Sequence, residues 1–118
     1  MSDGSLVGQY TVGNGPYAVE FDGENLWTMC YLEGSVTKLR ASDGALIGTY
    51  SVGGGPIGAA LDGTYMWVLT LGSSSVAKLR ASDGALVDTF SVSGSPSGIV
   101  FDGAFIWVTN QPTMVNKM

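Results

Sequence analysis

Apolar and polar residues alternate in short runs, and glycine or proline interrupts them about every ten residues. Leu46, Gly48, Tyr50 and Val52 alternate with Ile47, Thr49 and Ser51, the period-two pattern of a strand. Gly53-Gly54-Gly55-Pro56 breaks the chain, and a short apolar run, Gly58 to Leu61, follows. Asp62-Gly63 signals a tight hairpin turn, because glycine takes the positive φ such turns need. Tyr65 to Leu71 is apolar on both sides and reads as the next strand. Gly72 to Ser74 turn it, Ser75 to Arg80 run back, and Ser82-Asp83-Gly84 lead into another Leu-rich strand. No apolar period of 3.6 residues is sustained, so no helix is predicted.

The pattern repeats. Lys38 to Leu46 recurs unchanged forty residues later at Lys78 to Leu86. Asp3, Asp43 and Asp83 align, as do Pro16, Pro56 and Pro96, then Asp22, Asp62 and Asp102, and Trp27, Trp67 and Trp107. Residues 2–41 and 42–81 match at 19 of 40 positions without a gap. The third copy, 82–118, fits if one residue is removed between Gln111 and Met114. A unit of four antiparallel strands repeated at this period is a propeller blade, since blades stack face to face and tolerate apolar residues on both sides. The expected fold is all-β: one β-propeller segment, 1–118, of three four-stranded blades.

The stretch from Gly98 to Asn110 resembles the repeat of bacterial YVTN-type propellers, the group that includes the virginiamycin B lyase-like proteins. Ile106-Trp107-Val108-Thr109-Asn110 matches the motif strand, and Val76-Ala77-Lys78-Leu79-Arg80-Ala81-Ser82-Asp83-Gly84-Ala85-Leu86 matches the outer half of the blade. Copies one and two depart in the motif strand, with Leu26-Trp27-Thr28-Met29-Cys30 and Met66-Trp67-Val68-Leu69-Thr70. The resemblance implies that strands run from the inside of each blade outward. The chain then starts on an outermost strand, Leu6 to Val12, and ends after a third, Met114 to Lys117. The N-terminal strand is expected to complete the C-terminal blade of a partner chain. Head-to-tail contacts close into rings, so the favoured assembly is a homodimer of six blades, the alternative a homotrimer of nine. An open arc would leave apolar blade faces and strand edges bare.

Composition narrows the function. Charged residues are only 13% of the chain, about half the roughly 25% usual for soluble domains, as expected if much surface is meant for other copies. A net charge of −5 argues against nucleic acid or anionic membrane as partner. The lone Cys30 rules out an intrachain disulfide and a cysteine zinc site. No apolar run approaches a membrane span, and the first residues do not read as a signal peptide, so the default expectation is a soluble, cytoplasmic protein. Lyases of the resembled family use a histidine for proton transfer, and this chain has none. The expectation is a non-enzymatic, self-assembling module that recognises a small molecule, glycan or protein, with no catalytic residue, metal or cofactor. The alternatives are a purely structural or engineered propeller fragment without ligand, and a lyase-like enzyme remnant.

Candidate binding residues come from where the copies differ. From Glu24 to Gly34 only Trp27 equals its counterpart in Thr64 to Ser74, one match in eleven, whereas 18 of the other 29 positions match. That strand, its turn and the Gly-Pro loop share one end of the blade, and loops on a rigid scaffold commonly carry function. Asn14, Tyr17, Tyr31, Leu32 and Glu33 form the expected binding rim. Glu20 occupies an inner strand where the other copies carry Ala60 and Val100, so ring symmetry would bring its copies together in the channel. The Asp-Gly aspartates read as turn residues bonding their own backbone, the three tryptophans as blade packing, and the five basic residues as solvated rim charges near those aspartates.

Overall fold

The computed structural model describes residues 4–111 and 113–118; Asp3 lies outside them. The described chain forms eleven strands: β1 (Pro16–Phe21), β2 (Asn25–Cys30), β3 (Ser35–Arg40), β4 (Leu46–Ser51), β5 (Pro56–Leu61), β6 (Tyr65–Thr70), β7 (Ser75–Arg80), β8 (Leu86–Ser91), β9 (Ser95–Phe101), β10 (Ile106–Gln111) and β11 (Met114–Lys117). They build two four-stranded sheets, β1-β2-β3-β4 and β5-β6-β7-β8, and one three-stranded sheet, β9-β10-β11. All pairings are antiparallel. The three-blade, all-β expectation holds, with eleven strands present and the expected strand Leu6 to Val12 absent, and no helix occurs among the described residues.

Register fixes the repeat in space. Trp27 pairs with Lys38, Trp67 with Lys78 and Trp107 with Lys117. The last pair confirms the single-residue offset expected in copy three. Each inner strand carries a bulge at the residue after its proline, so that Tyr17, Ile57 and Ser97 stand outside the ladder. A bulge re-aims the side chain it frees.

Side chains alternate between the two faces of each blade, and each face seeks a neighbour. One apolar cluster joins blades one and two through Trp27, Met29 and Val36 on one side and Met66, Val68 and Leu79 on the other. A second joins blades two and three through Leu69 and Val76 against Ile106 and Val108. Burying each large apolar side chain contributes about 1.5–3 kcal/mol, so these two seams hold the stack together. The middle blade is covered on both faces, and no residue of β5 is exposed. Blade one is bare where blade two is covered. Val19 and Phe21 are 59% and 54% exposed, whereas Ala59 and Leu61, forty residues on, pack into the first seam. Blade three is bare on the opposite face, where Val100 is exposed.

One strand expectation fails within the single chain. Leu6 to Val12 joins no sheet among the described residues, and blade one already has its four strands, β1-β2-β3-β4. One of its contacts matches that of an outer strand. The Tyr10 ring lies over Gly44 where a Cβ would be, as the Tyr50 ring of β4 lies over Gly84.

Gly84 has φ +73° and a Tyr50 ring in the space of its absent Cβ, whereas Gly63 has φ +102° and open space. Gly63→Ala should therefore cost about 1–2 kcal/mol of backbone strain alone. Gly84→Ala should cost about 2–4 kcal/mol, strain plus a displaced ring. Urea unfolding of the two variants at one protein concentration checks the difference.

Candidate functional site

The expected rim assembles at one end of blade one. Tyr17, freed from the ladder by its bulge, meets Tyr31 of the β2–β3 turn with ring centroids 6.1 Å apart and planes at 35°. The Gly-Pro loop is tied to that turn by the Tyr31 N–H donating to the Gly15 carbonyl at 2.8 Å. A Cβ at Gly15 would strike the Leu32 side chain, and one at Gly13 the Glu33 carboxylate. Leu32 and Glu33 thus lie over the two glycines that flank Asn14, which is exposed. Ser35 Oγ donates to Glu33 Oε2 at 3.5 Å. These five residues come together, two aromatic rings, an amide, an exposed leucine and a carboxylate, the mixture that suits polar and apolar recognition together.

Glu20 stands apart from them. It pairs with Trp27 near the other end of β1 and lines a hollow of about 220 Å³ among the inner strands with Ala60 and Val100, its repeat counterparts. Partial burial pushes its carboxyl above the usual range.

The opposite end of every blade is built as a clamp. Asp22 Oδ1 accepts the Glu24 and Asn25 N–H groups at 2.9 and 2.6 Å. Asp62 does the same for Thr64 and Tyr65, and Asp102 for Ala104 and Phe105. The second oxygen of each accepts Nε1–H from the tryptophan five residues on, at 2.8, 2.9 and 2.7 Å. The turn reading of these aspartates holds, and the tryptophan bond is an addition that only the five-residue spacing could have suggested. Burial pushes the Asp22 and Asp62 carboxyls up, but the indole and backbone donors outweigh it and hold both below the usual range. At Asp102 the Trp107 bond leads and the direction is the same.

The basic residues divide. Arg40 and Arg80 pair with Asp43 and Asp83 at 3.0 and 2.9 Å in half-exposed bridges, as expected of rim charges. Lys38 does not. It is 5% exposed, with Nζ 4.7 Å from the Trp27 ring centroid and donating to the Ala81 carbonyl at 2.9 Å. Blade two closes over it, and the aromatic ring and carbonyl replace water around the charge. Lys78 is half-buried and Lys117 exposed, following the neighbours each blade has.

Solved structures agree on the architecture. Hydrazine synthase of Kuenenia stuttgartiensis superposes with a TM-score of 0.82 at 24% identity, over 100% of this chain and 36% of that one. The β-propeller domain of Cps50 (Swd1) from Myceliophthora thermophila gives 0.75 at 11% identity, over 89% and 34%. Streptogramin B lyase gives 0.70 at 16% identity, over 89% and 40%. The chain has the fold of a β-propeller. It spans under half the length of these proteins, so it is part of a propeller and not the whole ring. No family model and no curated protein matches it. No helix among the described residues is long and apolar enough to cross a membrane.

Depressed carboxyls stabilise the fold above their unfolded pKa, about 3.9, and lose that stability as pH falls through their folded values. The melting temperature should therefore hold above about pH 5 and fall below about pH 4. Trp67→Phe, which removes one indole donor, should cost about 1–2 kcal/mol at pH 7 and flatten the acid limb. Thermal melts from pH 3 to 7 check both.

Proposed function

We propose that the chain is a non-enzymatic propeller module that closes a ring with copies of itself and presents the blade-one rim for recognition. One observation carries the assembly: Tyr10 sits on Gly44 as Tyr50 sits on Gly84. Tyr50 also meets the Trp27 ring in a tilted contact, with centroids 5.9 Å apart, and Phe90 stacks on Trp67 at 5.8 Å. Trp107 has no such partner in its own chain among the described residues, and Tyr10 has no tryptophan. A second copy supplies each to the other. Its β9-β10-β11 sheet would add to the seated N-terminal segment, which becomes the fourth strand of that blade, and would cover Val19 and Phe21. The outer edge of β11, with Met114 and Val115 exposed, is the edge so paired.

The non-enzymatic reading is supported by the absence of histidine from the sequence. The resemblance to YVTN-type, virginiamycin B lyase-like propellers belongs to the same reading and rests on the repeat sequence from Gly98 to Asn110. Two copies are preferred to three because six blades lies within the common range of closed propellers.

Light scattering should give about 24 kDa for two 12.2-kDa chains, or about 37 kDa for three. Val19→Lys with Phe21→Lys, both on the bare face and outside the internal seams, should lower the mass to one chain while circular dichroism keeps its strand signal. A 12-kDa wild type, or a double variant of unchanged mass, overturns the assembly.

A further inference from the structure

Asn25 opens β2 where Tyr65 opens β6 and Phe105 immediately precedes β10. In blades two and three the ring at this position lies against a lysine: Lys78 Nζ is 4.1 Å from the Tyr65 centroid and Lys117 Nζ 4.0 Å from that of Phe105. Blade one has no ring there. Instead Asn25 and Lys38 line a cleft of about 440 Å³ at the junction of blades one and two, within the size range of small-molecule sites. Two of its groups lack partners they could hold. Asn25 is 9% exposed, and its Oδ1 has no hydrogen-bond partner among the described residues, a rare state for a buried polar atom. Lys38 gives one ammonium N–H to Ala81 and has two more to offer.

The lining decides the ligand class. It holds two carboxylates, Asp22 and Glu24, and two cations, Lys38 and Arg80. A polyanion would be repelled by the carboxylates. A sugar would find no stacking platform, since no lining residue is aromatic. A small zwitterion matches both signs at once. The Asp22 carboxylate is already occupied by three donors, whereas the Glu24 carboxylate accepts no hydrogen bond among the described residues. We propose that this cleft binds a free α-amino acid, its carboxylate held by Lys38 and by the Arg80 N–H groups that Asp83 leaves free, and its ammonium donating to the Glu24 carboxylate and to Asn25 Oδ1 once that buried amide rotates toward the cleft. The site lies within one chain and does not depend on ring closure.

The test is a titration of the isotope-labelled full-length protein with each of the twenty free amino acids, followed by amide shifts. At least one should move the Asn25, Thr64 and Ser82 signals with millimolar or tighter affinity. Asn25→Tyr copies the residue that blade two accommodates, so it should fold, keep the wild-type solution mass and weaken binding at least tenfold. Glu24→Gln, an exposed change, should weaken it severalfold, and N-acetylation or amidation of the ligand should do the same. Shifts by glucose, N-acetylglucosamine or inorganic phosphate at these signals, without any by amino acids, overturn the proposal. So does silence across the panel, or amino-acid binding that survives Asn25→Tyr.

Discussion

A sheet with two apolar faces needs a neighbour on each, and this constraint governs the molecule. The middle blade satisfies it, and the end blades do so on one side only. The same residue type in the same strand position therefore meets three environments. Trp27 is fully buried while Trp67 and Trp107 are partly so, and Lys38, Lys78 and Lys117 pass from buried to exposed along the chain. Identical chemistry is graded by position in the stack.

Within each blade the two ends are built differently. The Asp-Gly end is closed by carboxylates, Asp22, Asp62 and Asp102, that each accept from two turn N–H groups and an indole. The other end is closed by backbone bonds such as Tyr31 N–H to the Gly15 carbonyl and Leu71 N–H to the Gly55 carbonyl. Those bonds constrain backbone and leave side chains free. Sequence divergence between copies follows this division: the Asp-Gly turns persist, and Tyr31, Leu32 and Glu33 have no counterpart among Leu71, Gly72 and Ser73.

Much of this was legible in the sequence. Period-two alternation, turn glycines and a forty-residue repeat revealed the order and nearly every boundary of the eleven strands that form, because each signal is local. The rim was legible too, since loop and turn lie at one end of any blade. Two features were not. Lys38 looks like its surface counterparts, and its burial depends on which blade follows. Asn25 lies inside the diverged stretch, so a signal existed, but only the space beside Lys38 shows that losing a ring opens a cleft. Leu6 to Val12 has strand periodicity, yet periodicity does not supply a paired edge, and the segment joins no sheet among the described residues.

The seating of Tyr10 on Gly44 has a kinetic consequence. In the proposed ring, an N-terminal segment already seated by Tyr10 on Gly44 would not have to be ordered at the moment of contact between two copies. The entropy of fixing that segment would then be lost during folding of one chain and not during the encounter of two. Such an association would resemble the docking of two finished surfaces, whose rate is set by orientation and not by a search through tail conformations.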